Sequence, residues 1–249
     1  MPPKRAPALA LFDIDGTLLR RAGPHHREAL EKAIRCATGY ETSTDGIPLY
    51  GMLDPDIIAA MLDQAGAPRR VIREKMPGII SRAQAVYLQT CPRLERKTCP
   101  GVRRALRSLA QRGIVMELVT GNLTRIGWRK MERAGLDGYF RFGAFGEAAK
   151  DRAGLVRLAI RHARGHGWIG VQTPVTLIGD SPADVLAAKA AGIRSIAVAT
   201  GVIPANELRR YDPDLVIEDL RSLTPELLLG ASAPASASQA WPRGLNPGG

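Results

Sequence analysis

Two pairs of aspartates have the spacing of a catalytic or metal-binding site. Asp13 and Asp15 stand in Asp-Ile-Asp-Gly-Thr-Leu, directly after an apolar run, and Asp180 and Asp184 stand in Gly-Asp-Ser-Pro-Ala-Asp, after another. Crowded carboxylates repel one another unless a cation lies among them, and hard oxygen ligands favour Mg²⁺. The two pairs therefore predict a magnesium site, in which one carboxylate could also act as nucleophile and another as acid–base group.

A third candidate segment combines a hydroxyl group with backbone amides. Thr120, Gly121 and Asn122 follow an apolar run and precede a stretch with helical periodicity. The free amides at the N-terminus of a helix bind anions. The segment therefore predicts an anion site, and a phosphate facing a carboxylate nucleophile would also need the cation to offset its charge.

Apolar runs and helical stretches alternate along the chain and predict the elements that position these residues. Five runs have the character of strands buried on both faces, at 8–12, 114–119, 175–178, 195–199 and 214–217. Helical periodicity lies between them at 102–112, 123–134, 153–166 and 183–191. This alternation predicts an α/β fold with a Rossmann-like, mostly parallel sheet and helices on both faces. The candidate residues follow the carboxyl ends of strands, where such sheets carry their chemistry.

The interval 19–98 breaks the alternation. No convincing buried strand interrupts it, and its helical patterns lie at 24–37, 55–66 and 69–89. We interpret it as an all-helical cap inserted after the first strand, so that 1–18 and 99–230 form the α/β core. Residues 231–249 are mostly Ala, Ser, Pro and Gly, a composition that predicts a disordered tail.

The chain is basic, and its charge bears on the choice of partner. Its 249 residues include 35 Lys and Arg against 24 Asp and Glu, a formal net charge of +11. Aromatic residues make up only 5% and do not alternate with basic ones, so stacking platforms for bases are lacking. A nucleic-acid partner is therefore disfavoured, although the charge keeps it open.

Hydropathy and cysteine usage indicate the compartment. No run approaches the roughly 18 apolar residues of a membrane helix, so no membrane association is expected. The cysteines are odd in number and have no metal-ligand spacing, which favours a reduced, cytoplasmic chain. They are Cys36, Cys91 and Cys99. The four histidines lie in helical or polar stretches and are expected at the surface.

The order of the motifs resembles the haloacid dehalogenase-like superfamily. Asp-x-Asp-Gly-Thr-Leu, Thr-Gly-Asn, a basic residue and Gly-Asp-Ser-x-x-Asp follow one another in that order. The resemblance covers about residues 8–220. The helical interval resembles the C1 cap of the phosphoglycolate phosphatase-like and β-phosphoglucomutase-like subgroup.

This resemblance implies phosphoryl transfer in two steps. Asp13 would attack phosphorus and form an aspartyl-phosphate, which splits a hard hydrolysis into two displacements. Asp15, an aspartate that true dehalogenases of the superfamily lack, would protonate the leaving oxygen and then deprotonate the attacking water. Thr120 and the backbone amides around Gly121 and Asn122 would hold the phosphoryl oxygens.

The resemblance also implies how Mg²⁺ would be bound. Asp13, Asp180 and the main-chain carbonyl of Asp15 would be ligands, and Asp184 would be a ligand or support one. Ser181 and Asp184 also have the spacing of a capping box at the start of a helix, which leaves the role of Asp184 open.

The third, basic motif departs from the pattern of the superfamily, which usually has Lys at the start of the helix before the fourth strand. Lys150 has the expected residue type, since a compact ammonium readily bridges a carboxylate and a phosphate. Arg152 lies closer to the usual position. We favour Lys150 as the phosphate-binding cation and expect the other residue to be a surface charge.

Candidate substrate contacts lie in the hinge and in the cap. Arg20 and Arg21 follow the first motif, and two hinge arginines would suit a substrate with a second anionic group. Asp54 belongs to a Gly-x-x-Asp-Pro segment that resembles the specificity segment of phosphoglycolate-phosphatase-like members.

Together these features predict a cytoplasmic, Mg²⁺-dependent phosphatase that hydrolyses a small phosphomonoester. Its partner would be a small phosphorylated metabolite, and the chain would be a monomer or homodimer. A mutase like the β-phosphoglucomutases would use the same residues but return the phosphoryl group to a reoriented intermediate. A non-catalytic nucleic-acid-binding protein on this scaffold is the alternative from another class, against which the intact motifs argue.

Overall fold

The sheet consists of the predicted apolar runs and one further short strand. The computed structural model describes residues 5–20 and 23–229. The strands are β1 (Leu9–Phe12), β2 (Val115–Val119), β3 (Gly143–Ala144), β4 (Val175–Gly179), β5 (Arg194–Val198) and β6 (Leu215–Ile217). They pair in parallel in the order β3-β2-β1-β4-β5-β6, which confirms the predicted α/β class. β3 escapes prediction because two residues are too few to show a periodicity.

Helices cover both faces of this sheet. They are α1 (His25–Thr38), α2 (Asp54–Gln64), α3 (Arg69–Thr90), α4 (Val102–Gln111), α5 (Thr124–Ala134), α6 (Arg152–Gly165), α7 (Pro182–Ala191), α8 (Ala205–Leu208) and α9 (Pro225–Leu228). Alternate residues of a strand point to opposite faces. Ala10 and Phe12 accordingly share a buried cluster with α4 and α5, whereas Leu9 and Leu11 pack with α6 and α7.

The helices α1 to α3 occupy the chain between β1 and α4, and the two ends of this segment lie side by side. Leu19 forms an antiparallel bridge with Thr98, and the Arg20 N–H donates to the Lys97 carbonyl at 2.7 Å. An insert whose entry and exit are paired in this way can be added without disturbing the sheet. The domain boundaries at 18/19 and 98/99 stay a prediction.

Two predicted features lie outside the described residues, namely the side chain of Arg21 and the tail at 231–249. Within residues 5–20 and 23–229, no helix combines the length and apolar character needed to cross a membrane.

Glu117 carries a carboxyl group that is buried in the middle of the sheet, away from the carboxyl ends of the strands. Glu117 of β2 is fully buried, and its Oε1 lies 3.0 Å from Nδ1 of His162 on α6. His162 is partly buried and stacks on Phe142, with ring centroids 3.7 Å apart, so it is not the surface residue that we expected. Burial raises the pKa of Glu117 to about 8.

We expect Glu117→Gln to stabilise the protein in a pH-dependent way. The ordinary pKa of this carboxyl is 4.5 and its folded value is about 8, so between these values the unfolded chain has lost a proton that the folded chain keeps. Stability therefore falls as pH rises through this window, and the substitution removes that loss. Thermal unfolding should show a Tm about 2–4 °C higher than wild type at pH 8 and nearly unchanged at pH 5. A lower Tm at pH 8 would contradict the assignment.

Candidate active site

Parallel pairing brings the predicted chemical groups to one edge of the sheet. Phe12 ends β1 and is flanked in register by β2 and β4. Asp13, Thr120 and Asp180 follow these three strands, and all three are buried. The ladder continues past β1, since the Asp13 N–H donates to the Ile178 carbonyl at 3.0 Å. The sheet itself thus places a carboxylate from one motif beside groups from two others.

Two glycines make room for Asp180. Gly16 has a φ of +90° and, like Gly201, lies so close to the Asp180 carboxylate that a Cβ at either position would overlap it. Thr17 Oγ1 donates to Asp180 Oδ1 at 3.3 Å. The Gly-Thr of the first motif therefore packs directly against the carboxylate of the last one.

Three carboxylates meet in a buried cluster. One oxygen each from Asp13, Asp180 and Asp184 lie within 4.8 Å of one another. Burial raises the pKa of Asp13 to about 7, against the opposing charge of Arg152. Burial, together with the charge of Asp13, raises the pKa of Asp180 to about 8. The cluster is therefore short of positive charge.

Arg152 is the side chain that supplies a positive charge to this cluster. It is only 8% exposed, and its Nη1 lies 3.2 Å from Asp13 Oδ1 and 2.6 Å from Asp184 Oδ1. Asp184 Oδ2 accepts hydrogen bonds from the Ser181 backbone N–H and hydroxyl, at 3.1 and 2.6 Å, in the predicted capping box of α7. Asp184 thus caps α7 and also holds Arg152 beside Asp13.

The structure separates the two candidates for the third, basic motif. Asp151 is the N-cap of α6, and its Oδ1 accepts from the Gly154 N–H at 2.6 Å. Arg152 is therefore the first residue of the helix and enters the site, whereas Lys150 precedes the cap and is exposed. The geometry does not support our preference for Lys150, because the position of the cap, rather than residue type, decides which side chain reaches Asp13.

Asp15 is held by an amide and an ammonium. Lys130 Nζ lies 2.5 Å from Asp15 Oδ2 and 2.6 Å from Asn122 Oδ1. Asn122 Nδ2 donates to Asp15 Oδ2 and to Thr120 Oγ1, each at 2.8 Å. Partial burial raises the pKa of Asp15, but the nearby positive charge, that of Lys130 foremost, and the hydrogen bonds from Lys130 and Asn122 together outweigh this effect and hold the pKa below its ordinary value. Asn122, for which we expected a role through its backbone, uses its side chain to orient Asp15.

The same network extends into the helical segment between β1 and α4. Lys130 Nζ lies 3.2 Å from Nδ1 of His26 on α1, and His26 Nε2 lies 2.9 Å from Oδ2 of Asp54 at the start of α2. That oxygen also accepts from the Leu123 N–H at 2.8 Å, and the Asp54 N–H donates to the Gly121 carbonyl at 2.8 Å. Asp54 is thus a buried contact between insert and core, and His26 is not the surface residue that we expected.

Sequence reasoning missed Lys130 and His26 as residues of this site. Lys130 lies on the face of α5 that otherwise carries Ile126, Met131 and Ala134. A lysine on an apolar helical face is rarely buried unless it is paired, and that was the available signal. His26 offered no such signal, because its sequence neighbours are polar.

A cavity of about 610 Å³ lies between the insert and the sheet edge. Its base carries the polar groups described above: Asp13, Asp15, Thr120, Gly121, Asn122, Lys130, Arg152 and Asp180. Its opposite wall is largely apolar and includes Leu30, Leu49, Tyr50, Met52 and Ile57. Arg27 lines the cavity, whereas the predicted hinge contact Arg20 is exposed and is not among the described residues that line it.

The order of the motifs, now joined at one sheet edge, agrees with a direct comparison of sequences. The family of haloacid dehalogenase-like hydrolases matches residues 7–192. The chain belongs to this family. The predicted superfamily is thereby confirmed, and with it the prediction that the protein is a hydrolase.

Relatives of this haloacid dehalogenase-like hydrolase include phosphoglycolate phosphatases, and its structural neighbours include a β-phosphoglucomutase. Phosphoglycolate phosphatase of Pseudomonas fluorescens (strain Pf0-1) is 26% identical, with 91% of this chain and 82% of the relative covered. Phosphoglycolate phosphatase of Agrobacterium fabrum (strain C58 / ATCC 33970) is 29% identical, with 88% and 91% covered. The crystal structure of β-phosphoglucomutase from Clostridium difficile covers 89% of this chain and 95% of its own at 17% identity, with a TM-score of 0.65, and supports the fold.

Proposed function

We propose that the chain is a Mg²⁺-dependent phosphatase that hydrolyses a small phosphomonoester through an aspartyl-phosphate on Asp13. The observation that carries the proposal is the position of Asp13, a buried carboxylate that lies close to both the Arg152 guanidinium and the Asp180 carboxylate. Asp15, which is bound by Lys130, lines the same cavity. An aspartate in an ordinary turn needs neither a buried guanidinium nor a second carboxylate beside it. A carboxylate nucleophile that attacks a phosphate dianion needs nearby positive charge, because the two groups otherwise repel each other.

The proposed reaction has two displacements on phosphorus. An Asp13 oxygen forms a bond to phosphorus while the ester bond breaks, and Asp15 gives a proton to the leaving alkoxide. The negative charge of the bound phosphate would raise the pKa of Asp15 in the substrate complex, against the effect of Lys130, so that Asp15 can take up this proton before the transfer. Asp15 then takes a proton from water, whose oxygen attacks phosphorus and releases phosphate and the Asp13 carboxylate. Arg152 lines the cavity beside Asp13, so its guanidinium would also contact the phosphoryl group in this proposal.

The acidic cluster fits a divalent cation. Asp13, Asp180 and Asp184 bring three carboxylates together, and the guanidinium of Arg152 is the one cation that pairs with them among the described residues. Two negative charges are then left uncompensated within that part of the chain when all are ionised. Carboxylate oxygens are the ligands that Mg²⁺ prefers, and we assign Asp13 and Asp180 as its side-chain ligands, with the Asp15 carbonyl as a further one. Asp184 is occupied by Ser181 and Arg152, so we assign it a supporting role. When bound, the cation would neutralise charge on the phosphoryl group.

The substrate is a small phosphorylated metabolite in this proposal, and phosphoglycolate is the first candidate because of the names of the relatives. The cavity is larger than a two-carbon acid requires, and its outer wall is mostly apolar. The test panel should therefore include phosphomonoesters of larger alcohols as well. The cytoplasmic location and the choice between monomer and homodimer stay predictions.

The proposal is tested by phosphate release from such a panel, with Mg²⁺ and with EDTA. We expect turnover only with Mg²⁺. In parallel, thermal unfolding of wild type should shift upward with Mg²⁺, because a ligand that binds only the folded state stabilises it, and Asp180→Asn should lose this shift. Turnover at full rate in EDTA would contradict the role of the cation, and absence of turnover across the panel would contradict the proposed phosphatase.

A mutase is the alternative enzyme, and isomeric product without net phosphate release would identify it. The nucleic-acid-binding alternative rests on the basic charge alone. Some of that charge already serves the fold, since Arg103 donates to the Ala134 carbonyl at the end of α5 at 2.6 Å and Arg112 pairs with Glu226 at 3.4 Å. Salt-dependent DNA binding without turnover would favour this alternative.

A further inference from the structure

The N-terminus of α5 is one place where the helical insert contacts the core. Helix N-termini carry backbone amides without partners inside the helix. Here the Leu123 N–H donates to Asp54 Oδ2 and the Arg125 N–H donates to Gln84 Oε1, each at 2.8 Å. Asp54 belongs to α2 and Gln84 to α3, so both partners come from the insert. The insert thus completes hydrogen bonds that α5 lacks on its own.

Lys130 joins this docking helix to Asp15. Its side chain is 1% exposed, and its three N–H donors match three acceptors, namely Asp15 Oδ2, Asn122 Oδ1 and His26 Nδ1. The set is self-consistent when His26 is neutral, because Nδ1 then accepts from Lys130 while Nε2–H donates to Asp54. A saturated, buried ammonium of this kind holds its acceptors in fixed places.

We propose that Lys130 is a positioning residue for Asp15, and that His26 and Asp54 make this positioning depend on the docked insert. The proposal rests on the assigned acid–base role of Asp15. The Asp15 side chain is 42% exposed, so packing alone does not fix its orientation, and its hydrogen bonds come from Lys130 and Asn122. Without the insert, Lys130 loses the hydrogen bond to His26. Its ammonium is then less firmly fixed, and so is the orientation of Asp15.

The first test separates positioning of an acid from general support of the fold. The two probes are p-nitrophenyl phosphate, whose leaving group departs without a proton, and phenyl phosphate, which is nearly the same shape but needs one. Lys130→Met keeps the length of the side chain and removes the donors. We expect kcat/KM to fall about 10²-fold for phenyl phosphate and less than about threefold for p-nitrophenyl phosphate. The exposed cap residue Lys32 supplies the matched control, Lys32→Met, which should leave both values unchanged.

Each other outcome is decisive. An equal fall with both probes would mean that Lys130 only supports the fold, and unchanged values would mean that it does not position Asp15; either overturns the inference while leaving the phosphatase intact. If wild type hydrolyses neither probe nor any member of the phosphomonoester panel, the proposed function itself fails, and this inference fails with it.

The second test addresses the link to the insert and does not depend on the folding of Lys130→Met. Gln at position 26 can accept through its carbonyl and donate through its amide, as the neutral imidazole does, whereas Leu can do neither. We expect His26→Leu to reproduce the selective loss with phenyl phosphate, by about tenfold, and His26→Gln to stay within about threefold of wild type. Equal behaviour of the two variants would overturn the dependence on docking.

Discussion

Asp13→Asn should abolish phosphate release while leaving the fold intact. The variant loses the only nucleophile of the proposed mechanism, and removal of a nucleophile commonly costs about four orders of magnitude or more in kcat. The amide has nearly the shape of the carboxylate, so packing at the end of β1 is retained. Because burial raises the pKa of Asp13 to about 7, a neutral side chain is tolerated there, and Tm in Mg²⁺-free buffer at pH 8 should not fall.

The measurement is phosphate release with the best substrate of the panel, together with thermal unfolding of both proteins. Asp212→Asn is a matched control, since Asp212 is exposed, pairs with Lys189 on the surface and has a φ of +51°, which Asn tolerates. It should behave as wild type. Substantial phosphate release by Asp13→Asn would show that Asp13 is not the nucleophile.

Arg152→Ala should lower kcat/KM by about 10²–10³-fold. The substitution removes the guanidinium that contacts both Asp13 and Asp184 and that lines the cavity proposed for the phosphoryl group. Those carboxylates then face one another without that counter-charge, so Tm should fall as well. The fall should be larger at pH 8 than at pH 5, because the pKa of Asp13 is raised to about 7 and its carboxyl is protonated at pH 5. Kinetics and thermal unfolding at the two pH values provide the readouts.

Lys150→Ala is the decisive comparison, because sequence reasoning favoured Lys150 for this role. Lys150 is exposed on the far side of the α6 cap, so its loss should change kcat/KM by less than about twofold. Arg152→Lys should recover part of the lost rate, since it restores the charge but not the planar fork of donors. A large loss in Lys150→Ala with little change in Arg152→Ala would reverse the assignment.

The sequence alone was enough to predict the fold class and the meeting of the acidic motifs. Strands buried on both faces are read from continuous apolar runs, and parallel strands bring their carboxyl ends to one edge whatever the details of packing. Asp13, Thr120 and Asp180 follow directly from this rule. Hydrogen bonds between residues that are close in the sequence can also be predicted from it, as the Ser181–Asp184 capping box shows.

Only the tertiary structure decided which cation serves which carboxylate. Lys150 and Arg152 differ by two residues, and the choice between them depends on where Asp151 starts α6 and on the crossing of that helix over the sheet. Lys130 reaches Asp15 from a helix 115 positions further along the chain, and His26 contacts Lys130 from a separate helix. Such contacts depend on helix docking angles, which no short motif records. Residues carried directly on strand ends are therefore predictable, whereas those that reach the site from packed helices emerge only when the insert and the core are seen together.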